Sequence, residues 1–89
     1  MTSREQHLIK AILDAGHDAE GAQFSEISLH AAANLRLQAG ARELATLGEF
    51  NSALEYIGQH GWMTRITSPV TGRARWNINS AGEAARLEL

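Results

Sequence analysis

The 89-residue sequence predicts a mostly helical α+β fold, on three observations. Apolar residues recur at helical spacing through the first sixty positions, the period drops to two after Gly61, and a Pro/Gly turn separates two alternating runs. A single domain over residues 1–89 is expected, because two independent cores at this length would each fall below the size at which burial offsets chain entropy.

The first helix is predicted from Ser3 to Gly16. Ser3 and Gln6 have capping-box spacing, Leu8, Ile9, Ile12 and Leu13 form an apolar stripe, and Gly16 reads as the C-terminal stop. Residues 16–25 have loop composition, with Phe24 pinning the loop to the core. After Ser25 or Ser28, both N-cap residue types, an alanine-rich helix runs to about Gln38 before Gly40 breaks it. Leu29, Ala32, Ala33 and, on a neighbouring face, Leu35 are its inward candidates, and a short strand at Ile27-Ser28-Leu29 is the competing local reading. Residues 41–47 predict a short helical piece ending at Gly48. Thr46 and Glu49 then open a further helix through Gln59 or His60, with Phe50, Ala53, Leu54 and Ile57 at i, i+3, i+4 and i+7. The sharp turn before it falls at Gly40 or Gly48.

Beyond Gly61, Trp62, Thr64 and Ile66 alternate with Met63, Arg65 and Thr67. After Ser68-Pro69-Val70-Thr71-Gly72-Arg73, the residues Ala74, Trp76 and Ile78 alternate with Arg75, Asn77 and Asn79. Two period-2 runs about such a turn predict a β-hairpin with a projecting tip. Trp62 and Trp76 share a phase with Ile66 and Ile78, so both are expected to pack under the helices. Ser80 and Glu83 have the spacing to cap a last helical turn.

Composition excludes several classes of protein. There is no cysteine, hence no disulfide framework and no thiolate zinc site. No apolar run is longer than the three residues of Ala31-Ala32-Ala33, so no segment is expected to span a membrane, and nothing at the N-terminus resembles an export signal; a cytoplasmic location is expected. His7, His17, His30 and His60 form no i, i+4 pair, and His17-Asp18-x-Glu20 is a solvated loop cluster rather than a metal site. No nucleophile sits in an elbow, and the eight glycines are dispersed rather than gathered into a phosphate loop. No catalytic residue, metal or cofactor is expected.

Charge is unevenly placed. The formal net charge is −2, but residues 1–60 carry four basic and eight acidic groups, whereas residues 61–80 carry Arg65, Arg73 and Arg75 and no acid. Helices, a helix-turn-helix and a two-stranded hairpin with a basic tip resemble the layout of a winged helix-turn-helix domain. Arg42-Glu43-Leu44-Ala45 is similar to the second helix of many such regulators. Ala53-Leu54-Glu55-Tyr56-Ile57-Gly58-Gln59-His60-Gly61-Trp62-Met63 resembles the recognition helix running into the first wing strand. Thr71-Gly72-Arg73-Ala74-Arg75-Trp76-Asn77-Ile78-Asn79 resembles the second wing strand, and the Gly-Trp…Gly-Arg…Ile-Asn pattern is also similar to wings of replication proteins of mobile elements (phage or plasmid).

The resemblance implies a duplex-DNA reader with a transcriptional or replication-linked role. Asn51, Ser52, Glu55, Tyr56 and Gln59 would face bases and phosphates in the major groove, and Arg65, Arg73 and Arg75 would grip the backbone or adjacent minor groove. The plainer reading of the same residues is a solvated helix face and a solubilising arginine cluster. With about three to five usable cations, one copy would bind weakly, so a homodimer on a two-fold site or a larger assembly is expected. Residues 31–39 or the outer side of the first helix are candidate seams. The alternative from another class is a winged helix that docks a protein partner through its acidic surface.

Overall fold

A computed structural model describes residues 1–89 as four helices and one three-stranded antiparallel sheet. The elements run α1 (Ser3–Asp18), β1 (Phe24–Ser25), α2 (Glu26–Ala39), α3 (Leu47–Gln59), β2 (Met63–Thr67), β3 (Ala74–Ile78) and α4 (Ser80–Glu88). The sheet order is β1-β3-β2. This mostly helical α+β arrangement is consistent with a winged helix-turn-helix regulator fold.

Helix α1 is the central layer. Leu8, Ile9, Ile12 and Leu13 are buried on it, and Leu29, Ala33 and Leu37 of α2 with Phe50, Leu54 and Ile57 of α3 complete the core. Its cap lies one residue earlier than Ser3: the Glu5 N–H donates to Thr2 Oγ1 at 3.1 Å. Gly16 does not end the helix. It lies buried inside the last turns, where a Cβ would stand 3.1 Å from Ile78 Cβ, so its small size admits β3 against α1.

The chain then forms β1, a strand at Phe24–Ser25 rather than at 27–29, with Phe24 opposite Trp76 and Ser25 opposite Arg75. Ser25 caps α2 by accepting from the Ser28 N–H at 3.1 Å. Helix α2 buries Leu29 and Ala33 as expected, but Leu35 points outward and is 66% exposed.

The short helical piece expected at 41–47 does not form: residues 41–46 are non-helical, and Leu47 is already the first residue of α3. Ala41 takes φ +56°, the Arg42 N–H closes back on the Leu37 carbonyl at 2.8 Å, and the chain reverses. Side chains of α2 then occupy the backbone of Ala45, which is what local helix propensity would have needed free. The Ala45 N–H donates to Asn34 Oδ1 at 2.9 Å, and its carbonyl bonds His30 Nε2 at 2.8 Å. The Arg42-Glu43-Leu44-Ala45 segment is therefore a connector, and α2 itself is the helix that precedes the turn into α3. The Thr46–Glu49 capping box that opens α3 is present in full.

After α3, Gly61 sits at φ +68° and the Trp62 N–H bonds the Ile57 carbonyl at 3.1 Å. The hairpin forms as expected, but the inward phase of β2 is the other one. Met63 is buried, Ile66 is 42% exposed and Trp62 lies partly buried on the α3 terminus. Register explains this, because Met63 faces Ile78 and Arg65 faces Trp76, leaving Thr64 and Ile66 with Asn77 and Arg75 on the outer face. Trp76 is in the core as predicted, 6% exposed, with its Nε1–H donating to Glu26 at 3.0 Å; it is not free to stack on a base. Asn79, not Ser80, caps α4 by accepting from the Gly82 N–H at 2.9 Å. No helix is long and apolar enough to cross a membrane.

Candidate nucleic-acid interface

The capping box fixes where α3 starts, and burial of Phe50, Ala53, Leu54 and Ile57 fixes its rotation. At about 100° per residue, the opposite face then carries Asn51, Ser52, Glu55 and Gln59. All four are exposed, and Gln59 Nε2 reaches Glu55 Oε1 at 3.5 Å along the helix. Tyr56 sits on the flank, half-buried. Its ring stacks on His60 at 4.1 Å and meets Trp62 edge-on at 5.7 Å, while His60 and Trp62 lie 4.8 Å apart. This aromatic group closes the C-terminal end of α3. Its three members are visible in the sequence, but the Gly61 turn that folds Trp62 back over the helix is what joins them.

The structure divides the wing arginines between two surfaces. Arg65 faces Trp76, whose ring lies beside Gly58 of α3, so Arg65 belongs to the sheet face turned toward the helices. Arg75 faces Ile66 and Ser25 on the outer side, and Arg73 precedes it in the tip. All three are exposed. Three arginines within eleven residues look like one cluster in sequence; strand alternation separates them.

Ion pairing distinguishes these arginines from the rest of the surface. Arg4 holds Glu49 through two bonds of 2.5 and 2.9 Å and lies 3.6 Å from Glu43. Lys10 and Arg86 share Asp14 at 3.6 and 3.0 Å, and Arg36 pairs with Asp18. Arg42, Arg65, Arg73 and Arg75 have no carboxylate within ion-pair distance, so three of the four unpaired basic side chains are on the wing.

The same pairs quiet part of the acidic surface. The Arg4 guanidinium, followed by the Thr46 N–H, pulls the Glu49 carboxyl down to about 2, and Glu49 in turn raises Arg4. Arg36 lowers Asp18 in the same way. Glu49 is thus a capping and bridging residue between α1 and α3. Glu55 alone puts an unpaired carboxylate in the middle of the outward α3 face.

Nothing here gathers a metal site. No group of three or more His, Asp or Glu side chains is arranged to hold an ion, and His17 and Asp18, in the last turn of α1, are engaged by Glu83 at 2.7 Å and by Arg36. A groove of about 570 Å³, absent from the sequence reading, runs between α1 and α3 over Leu8, Ile9 and Ala53, with Arg4, Glu49, Ser52 and Tyr56 on its rim. Only tertiary packing creates it.

The solved structure of a transcriptional regulator from Clostridium thermocellum superposes on this arrangement with a TM-score of 0.75. The chain is similar to it in fold. The match covers 99% of this chain and 82% of that one, at 13% sequence identity, a level at which the likeness speaks for the fold alone. No family profile and no curated protein matches the chain.

Proposed function

We propose that the chain is a DNA-binding regulator of the winged helix-turn-helix type. In this reading α3 enters the major groove, with Asn51, Ser52, Glu55 and Gln59 toward base edges and Tyr56 at the groove wall, while Arg65, Arg73 and Arg75 meet phosphates. One observation carries the reading: the unpaired cations concentrate on the hairpin next to an exposed, polar helix face, while carboxylates hold Arg4, Lys10, Arg36 and Arg86 elsewhere. The fold likeness to a transcriptional regulator supports it. Three phosphate contacts are few, so two copies on a two-fold site are the working form.

Fluorescence polarisation of a labelled mixed-sequence duplex between about 50 and 200 mM salt tests this. Three contacts per copy predict a log–log slope of about −2.7, a loss of about 40-fold across that range for one copy and more for two. Replacing Arg73 and Arg75 with alanine should cut the slope to about −0.9 per copy and the loss to about 3.5-fold. An unchanged slope would remove Arg73 and Arg75 from the mechanism. The second reading, docking of a protein partner, draws on Glu55 at the centre of the α3 face and on the net acidity of residues 1–60. It would stand if no duplex binds at tens of micromolar in low salt.

A further inference from the structure

Arg42 is the unpaired cation that lies away from the wing. Its side chain folds back over the end of α2, with Nε 3.7 Å from the point where a Gly40 Cβ would stand. There it lines a hollow of about 170 Å³ between α1 and α2, together with His7, Lys10, Asp14 and Arg36. His17, His30 and His60 each hydrogen-bond within the protein, whereas the half-buried His7 does not. Charge around the hollow does not balance. Lys10 and Arg86 share the one carboxylate of Asp14, and Arg36 holds Asp18, so with Arg42 four cations meet two carboxylates. This surplus of two positive charges stands in an otherwise acidic stretch, since the rest of residues 1–60 carries Arg4 against six glutamates.

Donors remain as well. Arg36 spends N–H groups on the Ala32 carbonyl and Asp18, and Lys10 on Asp14 and the Arg86 carbonyl, which leaves further donors on each. The end of α2 opposes an anion with no bare carbonyl, because Arg36, Leu37 and Gln38 accept from the N–H groups of Gly40, Arg42 and Ala41. A second hollow, of about 310 Å³, adjoins the first at His7, Leu37 and Arg42; Leu8, Ala41 and Ala45 also line it, and Arg4 and Glu43 are ion-paired at its edge.

We propose that the smaller hollow binds a phosphate dianion, either free or as the head of a small phosphomonoester whose organic part lies in the larger one. Two surplus charges match the charge of the dianion, and an unpartnered guanidinium fork beside a ring N–H suits its oxygens. A phosphodiester carries one charge and would leave a cation uncompensated. No residue of α3 or the hairpin lines either hollow, so the site stands apart from the DNA reading and either can fail alone. Occupancy would tie α1 and α2 to the connector that ends in Thr46, the cap of α3, and so bear on how firmly α3 is set.

Two-dimensional amide NMR of the intact chain at about pH 8, where a phosphomonoester is dianionic, tests this. Inorganic phosphate and phenyl phosphate are titrated against sodium chloride at matched ionic strength. Saturable shifts at residues 7–14 and 36–45 are expected, with Kd of about 0.1–5 mM. Phenyl phosphate binding about threefold tighter or more assigns the larger hollow to an organic group, and equal affinities assign the site to free phosphate; both support a phosphate site. Arg42→Gln, at an exposed position without a partner, should weaken binding by about tenfold or more with the unliganded Tm unchanged, and Arg73→Gln should leave it intact. No saturable shift by about 20 mM, or an affinity unmoved by Arg42→Gln, would overturn the proposal. Equal binding of dimethyl phosphate, a monoanionic diester, would overturn it too and point to a nucleic-acid backbone instead.

Discussion

Trp76 sets the angle of the hairpin against the helices, and Trp76→Phe should expose how much stability rests on that. The indole faces Phe24 across the sheet, its ring tip lies beside Gly58 of α3, and its N–H donates to Glu26 at the start of α2, so one side chain joins β1, α2 and α3. Phenylalanine keeps an aromatic ring but loses the N–H and part of the bicycle. A hydrogen bond to a carboxylate contributes about 1.5–3 kcal/mol when buried, and exposed Glu26 recovers water when released, which reduces this to about 1 kcal/mol. The unfilled volume costs about 1 kcal/mol more. Together these lower stability by about 2 kcal/mol, or about 8–16 °C in Tm for a domain of this size. Urea unfolding followed by far-UV circular dichroism measures it, and an unchanged m-value would confine the effect to the folded state. A double-mutant cycle with Glu26→Ala should return a coupling of about 1 kcal/mol. A loss below about 0.5 kcal/mol for Trp76→Phe, together with zero coupling, would refute the anchoring argument.

Gly82→Ala should destabilise by about 1–3 kcal/mol, because a Cβ there collides with the Trp62 carbonyl and stands 2.7 Å from Ile78 Cγ1; an unchanged Tm would show that α4 can shift away at little cost. Ala41→Gly should stabilise by about 0.5–1 kcal/mol, since relief of the left-handed conformation at φ +56° exceeds the added freedom of the unfolded chain, and thermal melts would read a rise of about 2–8 °C. The Glu49 carboxyl is depressed in the folded state, to about 2 from 4.5, so its contribution is present above pH 4.5 and is lost as pH falls from there toward 2. Glu49→Gln should flatten that part of the stability–pH profile, and an acid limb identical to wild type would place the titrating group elsewhere.

How much of each element is legible in the sequence follows from how far away the deciding contact lies. The α3 helix was legible in full because its cap, Thr46 with Glu49, and its stripe, Phe50 to Ile57, sit within twelve residues. The caps of α1 and α4, Thr2 and Asn79, lie one position before the Ser3 and Ser80 that spacing suggests. Thr2-Ser3-Arg4-Glu5 and Ser3-Arg4-Glu5-Gln6 both satisfy the capping spacing, and Asn79 competes with Ser80. The connector at 41–46 is not legible locally, because its Ala45 backbone is claimed by Asn34 and His30, eleven and fifteen residues upstream, which no local window contains. A two-residue strand such as β1 is too short to show a period at all.

The hairpin shows the same limit with more at stake for function. Alternation alone sorts β2 into two sets, {Trp62, Thr64, Ile66} and {Met63, Arg65, Thr67}, without saying which faces inward, and a one-residue change exchanges them. The choice is made before the strand begins: the Gly61 turn folds Trp62 back against Tyr56 and His60, so Met63 is the first side chain available to the core. That places Arg65 on the α3 side and leaves Arg75 outside. The wing can then present Arg65 beside the exposed face of α3 while Arg73 and Arg75 address a separate stretch of backbone, so a duplex reader built this way would contact two phosphate tracks. Arg65→Ala should accordingly weaken duplex binding independently of the Arg73 and Arg75 changes, with log-affinity losses that add. Losses that fail to add would mean the three arginines act on one track, as the sequence alone had suggested.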